Sequence, residues 1–360
     1  MIQKLLEERK LPALMKMNDG TPVTAENWDA RRRELIDVLE TMEYGRFPKK
    51  CGETTWKVVS TGESSAGKAT KSRVEITVPM PDGASFTFPV TVSIPNTATA
   101  DAPKPAFVYI SFAFLWYYPE EELVDNDVTV AEMWMNDVAW DTDEHLEKMA
   151  AHFSKDGQRG PDTTGKIGLW AFAASCVLDY LLSLDCVDKN RVGVIGHSRL
   201  GKTALWAGVN DERFTHVFSN DSGCSGAAIT RQKVGEDFPA ICRRFPYWFC
   251  ENMKEISGTV EDSENAPFDQ HYLLAAVAPR KLYVASAEKD QWADPVSEYL
   301  CCAAASEAWE ANGVTGFVHP DRLPENWDRF ADGNVAYHLR PGTHFLSRHD
   351  WVRYCDFIRG

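Results

Sequence analysis

Positive charge is scarce in this sequence. Lys and Arg together number 38 against 53 Asp and Glu residues, which gives a formal net charge of −15 at pH 7. Proteins that neutralise phosphates or dock on anionic lipids need the opposite balance, usually as a basic face. We therefore expect neither nucleic acid nor a membrane as a partner of this chain.

Long apolar runs are missing as well. No uninterrupted stretch reaches the roughly 18 residues that a membrane-spanning helix requires. The N-terminal segment MIQKLLEERKLPALMKM interrupts its leucines with Glu, Arg and Lys, which is unlike the apolar stretch of a secretory signal. We expect a cytoplasmic protein, or a secreted one whose leader has been removed.

Paired cysteine motifs are absent. The nine cysteines are an odd number, and no two of them are spaced as CxxC. This usage favours reduced, mostly buried thiols over a disulfide framework or a zinc site. The sequence therefore predicts no metal.

The order of the hydrophobic patterns predicts an α/β protein. Apolar and polar residues alternate over 72–80 and 85–95, with the turn PDGA between them, and the apolar run 105–112 is typical of a strand buried on both faces. Helical and strand-like segments then alternate with short links, the pattern of a parallel sheet with helices on both faces. The later segments are a helix over 168–184, a strand over 191–196, a helix over 202–209, and strands over 216–221, 278–286 and 335–342.

The chain has no Pro-, Gly- or Ser-rich linker, so we predict a single domain over residues 1–360. Residues 1–50 are expected to form an N-terminal arm with one helix from about Thr24 to Met42. Residues 230–270 are too long for a plain connection, so we expect an insertion near the edge of the sheet.

A candidate nucleophile lies in the segment 187–202, VDKNRVGVIGHSRLGK. A buried strand ends at Gly196 and a helix begins near Leu200, so Ser198 occupies a strand-to-helix turn. That is the setting of the nucleophile elbow in α/β-hydrolases. The generic G-x-S-x-G motif is not met, because its second glycine falls at Gly201 rather than at position 200.

A serine at this turn needs an oxyanion donor and a base. The backbone N–H of Arg199 would face the oxygen that becomes negative in a tetrahedral intermediate. The alternative is that Ser198 only caps the helix. His344 follows the last strand and is the expected base, with His338 inside that strand and His349 on the next helix as competitors.

The acid that would orient the base has three candidates. Asp221 ends the strand after the serine's own strand, Asp290 ends the following one, and Asp269 lies in PFDQH. The hydrophobic periodicity does not choose among them. His197, directly before the serine, is expected to pack rather than to react.

Five blocks of the sequence resemble the glucuronoyl esterases, carbohydrate esterase family fifteen, and their bacterial branch most. The blocks are VGVIGHSRLGKTALWAG, SNDSGCSGAA, FPYWFCEN, FDQHYLLAAVAPRKLYVASAEKDQWADP and RPGTHFLSRHDW, and the resemblance spans about residues 44–355. The G-x-S-R-x-G-K block is specific, because few other α/β-hydrolases place Arg directly after the serine and Lys four residues on. The family's motif has its glycine at the position of Gly201.

The resemblance implies catalytic roles residue by residue. Ser198 matches the family's nucleophile and His344 its base, while Arg199 matches the arginine that stabilises the oxyanion. Asp221 matches the position of the acid, where most members carry Glu. Because Asp is one methylene shorter, Asp290 stays the alternative acid.

The resemblance also implies substrate-binding residues. Lys202 matches a lysine that contacts uronate hydroxyls, Glu236 a glutamate that hydrogen-bonds the sugar, and Trp292 a tryptophan that packs against it. Lys202 and Arg199 could instead be solvated charges, but two cations oppose the positive end of a helix dipole. Trp292 could instead belong to the core.

The fold implied by the resemblance is the α/β-hydrolase fold with an N-terminal β extension. The implied activity is hydrolysis of the ester between (4-O-methyl-)glucuronic acid of xylan and an alcohol such as lignin, through a glucuronoyl-serine intermediate, without metal or organic cofactor. Glucuronoxylan or lignin–carbohydrate fragments would be the partners. The alternatives are an acetyl (xylan) esterase and a catalytically inactive carbohydrate-binding relative.

Two departures from the family pattern bear on the substrate. Ser225 in SGCSGAA stands where glycine is expected, and the loop after 105–112 reads AFLWYY where the family has an Asn- and Gly-rich turn.

Overall fold

A mixed β-sheet of ten strands forms the centre of the computed structural model, which describes residues 1–112, 118–154 and 158–360. The strands are β1 (Thr55–Ser64), β2 (Ala69–Pro79), β3 (Ser85–Pro95), β4 (Lys104–Ser111), β5 (Thr129–Trp134), β6 (Val187–His197), β7 (His216–Asn220), β8 (Lys281–Ala287), β9 (Arg329–Phe330) and β10 (Val335–Arg340). The α-helices are α1 (Ile2–Arg9), α2 (Trp28–Leu39), α3 (Glu120–Asp125), α4 (Met135–Val138), α5 (Lys166–Ser183), α6 (Arg199–Asn210), α7 (Phe238–Arg244), α8 (Val260–Glu264), α9 (His271–Ala275), α10 (Pro295–Ala305), α11 (Glu307–Ala311) and α12 (Arg348–Arg359).

The strands follow the order β1-β2-β3-β5-β4-β6-β7-β8-β10-β9 across the sheet. The pairs β1–β2, β2–β3 and β3–β5 are antiparallel. Every neighbouring pair from β5 to β10 is parallel, and β9 adds an antiparallel edge to β10. The predicted α/β-hydrolase fold, with its mainly parallel sheet and N-terminal β extension, is confirmed.

Strand β4 shows why the central strands are continuous apolar runs. Its side chains alternate between two hydrophobic clusters, Val108 and Ile110 in one and Phe107 and Tyr109 in the other. Helices α5 and α6 contribute to the first cluster, and helix α12 contributes to the second. The strand is therefore covered on both faces, as the apolar run 105–112 predicts.

Helix α5 is the most apolar element of this core. Among the described residues it is the single helix whose length and composition would allow it to cross a membrane, and 83% of that window is buried inside the fold. Buried core helices commonly pass the same test. The helix extends the predicted range 168–184 by two residues at its N-terminal end.

The N-terminal arm and one strand differ from the prediction. The arm carries two α-helices, α1 and α2, where one was expected. Helix α2 is shorter than 24–42, and a 3₁₀ turn before it is closed by a capping box between Thr24 and Asn27. Strand β5 was not predicted, although it lies between β3 and β4 and joins the β extension to the parallel block. Only its partners in the sheet distinguish this six-residue segment from a loop.

The carboxyl ends of β6, β7, β8 and β10 lie side by side. Loops that follow neighbouring parallel strands meet at one edge of the sheet, where α/β proteins bind their ligands. The candidate residues of the serine, acid and histidine loops therefore converge there.

Candidate active site

Ser198 occupies a strained turn between β6 and α6. Its φ of 59° and ψ of −128° lie outside the regions that side-chain-bearing residues favour. A Cβ on Gly196 would overlap the carbonyl oxygen of Leu200, and one on Gly201 would come within 3.0 Å of the Ser222 Cβ. The turn therefore needs glycine at 196 and 201, while Leu200 is fully buried in the core. This explains the displaced second glycine.

The backbone around the serine creates a donor site. The Ser198 N–H donates to the Asn220 carbonyl at 2.9 Å, which ties the turn to the end of β7. Arg199 is the first residue of α6, so its N–H has no acceptor within the helix. The positive end of the helix dipole adds to this donor, which suits a developing oxyanion.

His344 forms a short hydrogen bond with a carboxylate. Its Nδ1 lies 2.6 Å from Asp290 Oδ2, and Asp290 is 5% exposed. Ser198, His344 and Asp290 all line one cavity of about 290 Å³. With Nδ1 engaged by the acid, Nε2 is the ring nitrogen left to serve as base.

Asp221, the acid predicted first, has different partners. It accepts hydrogen bonds from the Ala287 N–H at 2.8 Å and from the Arg340 guanidinium at 3.4 Å. Burial and the neighbouring carboxylates raise its pKa well above the usual range. The structure therefore pairs the imidazole with Asp290, the alternative acid, whereas the Asp221 carboxylate is bonded to the Ala287 N–H and Arg340.

The two acids and the histidine nevertheless form one tight group. Asp221, Asp290 and His344 each place one atom that could bind a metal within 4.8 Å of the others, a spacing that could also hold a metal ion. Two of these three residues, His344 and Asp290, are already hydrogen-bonded to each other.

The other histidines have structural partners. His338 is buried, with Nδ1 3.0 Å from Tyr283 Oη and Nε2 2.8 Å from Asp350. His197 lies with its ring centre 4.4 Å from that of His344, and Nδ1 is 2.6 Å from Asn220 Oδ1. Burial and the neighbouring His344 lower the pKa of His197 to about 3, so it packs as a neutral ring.

Arg340 holds the histidine loop and was not singled out from the sequence. Its Nε donates to both oxygens of Asp350, and its Nη2 donates to the carbonyls of Thr343 and Phe345 on either side of His344. A buried arginine with these acceptors fixes the loop backbone. The sequence feature that could have identified it is a charged residue at the end of a buried strand, just before Pro-Gly.

The Arg199 side chain is enclosed by aromatic rings. Its guanidinium carbon lies 4.7 Å from the Trp248 ring centre, 5.4 Å from Phe245 and 5.5 Å from Phe112. Its Nη1 forms an ion pair with Asp141. The alternative of a freely solvated charge does not describe this side chain, which also lines the cavity.

Lys202, Glu236 and Trp292 line the same cavity. Lys202 is 3% exposed, and its Nζ donates to the Ser222 carbonyl at 2.5 Å. Burial lowers the pKa of Lys202, while the charge of Glu236 opposes that shift. Trp292 is 55% exposed, which places it at the rim rather than in the core, and its carbonyl accepts the Glu236 N–H at 3.0 Å.

Comparisons with known proteins show which family the whole chain resembles. The family model described as glucuronyl esterase of fungi matches residues 74–313. Carbohydrate esterase MZ0003 from an unknown prokaryotic organism is 30% identical, and the alignment covers 96% of this chain and 88% of that protein. A 4-O-methyl-glucuronoyl methylesterase of Podospora anserina is 27% identical over 84% of this chain, which spans 62% of that protein. The solved glucuronoyl esterase of Solibacter usitatus is 34% identical with a TM-score of 0.85, covering 97% of both chains.

The chain belongs to the glucuronoyl esterase family. It is a carboxylic ester hydrolase, as the sequence resemblance implied.

The structure describes the first of the two departures from the glucuronoyl esterase pattern, Ser225, but most of the second, the aromatic loop, lies outside the described residues. Ser225 has a φ of 52°, in the left-handed region that favours the glycine expected there, and it is fully buried. The aromatic loop AFLWYY covers 113–118, and residues 113–117 lie outside the described part of the chain.

This glucuronoyl esterase also has cavity residues that the sequence analysis missed. Arg244, Phe245 and Trp248 come from the predicted insertion 230–270, and they line the cavity beside Arg199. Phe245 and Trp248 lie in the block FPYWFCEN, which contributed to the resemblance without a residue being assigned a role, and Arg244 directly precedes that block.

Proposed function

We propose that this chain hydrolyses the ester between (4-O-methyl-)glucuronic acid on xylan and an alcohol such as a lignin hydroxyl. The observation that carries the proposal is the composition of one cavity. It combines Ser198 and the His344–Asp290 pair with a buried cation, a carboxylate and an exposed indole, at Lys202, Glu236 and Trp292. An acetyl group would leave these three side chains without a partner, whereas a uronate offers hydroxyls and a ring face.

The mechanism uses the serine as a nucleophile. His344 takes the proton from Ser198 Oγ, which attacks C6 of the uronate ester to form a tetrahedral intermediate. The Arg199 N–H and guanidinium stabilise the negative oxygen, and donors of this kind each lower a barrier by about 2.7–4 kcal/mol. His344 then protonates the departing alcohol, which leaves a glucuronoyl-serine ester.

Water completes the cycle. His344 takes a proton from a water molecule, and the resulting hydroxide attacks the glucuronoyl-serine carbonyl. The intermediate then collapses, the proton on His344 returns to Ser198 Oγ, and the product leaves as glucuronic acid, which gives its remaining carboxyl proton to solvent. Asp290 keeps the imidazole in the tautomer that both half-reactions need and balances its positive charge when it is protonated. Every one of these steps uses only side chains and backbone groups at the cavity.

The size of the cavity bears on the substrate. Its volume of about 290 Å³ is at the lower end of the range of about 300–1,000 Å³ common for ligand sites. We therefore expect one uronate residue inside, with the xylan chain and the alcohol extending into solvent. The cytoplasmic location expected from the N-terminal sequence stays a prediction.

The first test removes the nucleophile. Ser198→Ala should lower the release of benzyl alcohol from benzyl glucuronate by at least about 10⁴-fold, since the chemical step depends on the serine. Ser72→Ala, which removes a hydroxyl from strand β2, serves as the control and should keep wild-type activity. Retention of a sizeable fraction of activity by Ser198→Ala would refute the assignment.

A substrate panel separates the alternatives. Values of kcat/KM are compared for benzyl glucuronate, methyl glucuronate and p-nitrophenyl acetate. Preference for the glucuronates supports the proposal, and preference for the acetate would instead indicate an acetyl esterase. Inertness towards all three with measurable sugar binding would indicate a carbohydrate-binding relative.

A further inference from the structure

We infer that Asp141 is a positioning residue, which orients the Arg199 guanidinium towards the oxyanion. The inference rests on the proposed serine mechanism and extends it to a residue outside the cavity lining. Asp141 lies in the loop after α4, 58 positions before Arg199 in the chain, and its carboxylate pairs with Arg199 Nη1.

The aromatic rings do not by themselves fix how the Arg199 guanidinium is rotated. The nearest ring, Trp248, packs against the guanidinium with its neighbour Phe245 stacked on it at 3.9 Å. Contact with these rings limits where the guanidinium carbon lies but not the rotation that decides which terminal nitrogen faces the cavity. The ion pair with Asp141 fixes that rotation by assigning Nη1 to the carboxylate. The remaining terminal nitrogen is then the one available to a substrate oxygen.

Asp141 is itself held from three directions. Its Oδ1 accepts the indole N–H of Trp248 at 2.6 Å, and its carbonyl accepts the Tyr247 hydroxyl at 3.1 Å. Its backbone N–H donates to Asn136 Oδ1 at 3.2 Å. The carboxylate is therefore a fixed acceptor, and Trp248 contacts both members of the ion pair.

The buried part of Arg199 argues that this orientation matters. Among the described residues, the Arg199 Nε is a buried nitrogen without a hydrogen-bond partner. Leaving a buried donor unsatisfied is costly, which is consistent with a guanidinium placed for contact with the substrate rather than for a full set of hydrogen bonds. Sites that hold a donor in place before the charge develops accept this cost for transition-state stabilisation.

Charge and orientation predict opposite effects when Asp141 is removed. The carboxylate reduces the positive charge beside the reacting carbonyl, so an effect of charge alone would make catalysis faster without it. If Asp141 orients the guanidinium, its loss makes catalysis slower. An interaction made only with the transition state lowers kcat and leaves KM nearly unchanged.

The experiment uses Asp141→Asn in the full chain. Asn keeps the size and an acceptor for the Trp248 indole but loses the charged partner of Arg199. We expect kcat to fall by roughly 10–100-fold, less than the loss of a whole oxyanion donor, with KM changed less than about threefold. Asp143→Asn makes the same change two residues along the loop, where the side chain is 78% exposed, and should leave kcat unchanged.

The deciding measurement repeats Asp141→Asn in an Arg199→Met background. If Asp141 acts through the guanidinium, the second substitution has no further effect on kcat once the guanidinium is gone. An equal fall in both backgrounds, or a rise in kcat in the wild-type background, would overturn the inference. Unfolding midpoints are measured for every variant.

Two provisions keep the test informative. If Asp141→Asn does not fold, Trp248→Phe removes the indole donor to Asp141 while keeping an aromatic ring, and it should give a smaller loss of kcat that disappears in the Arg199→Met background. All variants are assayed on benzyl glucuronate and p-nitrophenyl acetate, because an oxyanion forms with either ester. Activity on the acetate alone would refute the glucuronate substrate and still decide the role of Asp141.

Discussion

The two reacting side chains of this site are positioned by different means. Ser198 is placed by its backbone, through a positive φ, glycine on both sides of the turn and the start of α6. His344 is placed by side chains, through Asp290 on its ring and Arg340 on the carbonyls beside it. The groups that place Ser198, here called the serine half, lie close together in the sequence. The groups that place His344, the histidine half, come from distant segments.

This difference decides how each half responds to substitution. A change in the serine half must alter the backbone, so its cost depends on steric overlap. A change in the histidine half alters charge or hydrogen bonding while the backbone stays in place. Three substitutions separate these expectations, beginning with the largest effect.

The largest loss is expected when the histidine half loses its acid. Asp290→Asn keeps the shape of the side chain but offers His344 Nδ1 an amide instead of a carboxylate, which favours the wrong tautomer and leaves the imidazolium unbalanced. The corresponding change in a serine-protease triad costs about 10⁴-fold, and we expect a loss in kcat on the order of 10³-fold. The measurement is steady-state hydrolysis of benzyl glucuronate.

Asp221→Asn is the matched control for that experiment. Asp221 lies beside the same histidine, but its carboxylate is bonded to the Ala287 N–H and Arg340 rather than to the imidazole, and an amide oxygen can still accept the Ala287 N–H. We expect its loss of kcat to be at least about tenfold smaller than that of Asp290→Asn. A larger loss at Asp221 would reinstate the acid position implied by the family resemblance.

In the serine half, a substitution should lower the activity through steric overlap. Gly196→Ala places a methyl group against the carbonyl oxygen of Leu200, so the turn must shift and displace Ser198 Oγ. A displacement of about 1 Å can cost roughly 100-fold in rate, and we expect a fall in kcat of that order. Gly62→Ala on β1, where a Cβ meets nothing within 4 Å, is the control. Wild-type kcat for Gly196→Ala would show that the elbow tolerates a side chain there.

The same contrast explains what the sequence could predict. The elbow, its strand and its helix lie within 187–202, so steric rules that act over a few residues identify Ser198 and the oxyanion N–H of Arg199. The parallel block was predictable for the same reason, because each strand is a continuous apolar run. Strand β5 was not, since its identity depends on pairing with β3 and β4.

The acid could not be chosen from the sequence for a geometric reason. Asp221 and Asp290 both end strands at the same edge, and their carboxylates converge on one histidine. What separates them is the direction of two short side chains. The direction of Asp221 depends on the Ala287 N–H and on Arg340, which lie 66 and 119 positions away along the chain. Asp141 escaped notice for a similar reason, because its partners Arg199 and Trp248 come from two distant segments of the chain.

The smallest effect is expected from pH, and it should arise at a buried carboxylate that belongs to neither half. Glu298 on α10 is fully buried and accepts hydrogen bonds from Ser286 Oγ at 2.5 Å and the Gly223 N–H at 2.9 Å. Burial raises its pKa from 4.5 to about 7, although both hydrogen bonds oppose the shift. Between these two values the folded chain holds a proton that the unfolded chain has lost. The stability that this group contributes is therefore complete below pH 4.5 and is lost as the pH rises through about 7.

Glu298→Gln removes this titration and retains an acceptor for Gly223 and a polar group for Ser286. The wild-type unfolding temperature should fall more steeply between pH 5 and pH 8 than that of the variant, with the two curves differing by a few °C. Glu53→Gln, at an exposed position before β1, should keep the wild-type slope. Parallel curves for Glu298→Gln and wild type would show that the pH dependence of stability arises at other groups. A steeper fall in the variant would mean that Glu298 is stabilised as an anion in the folded chain.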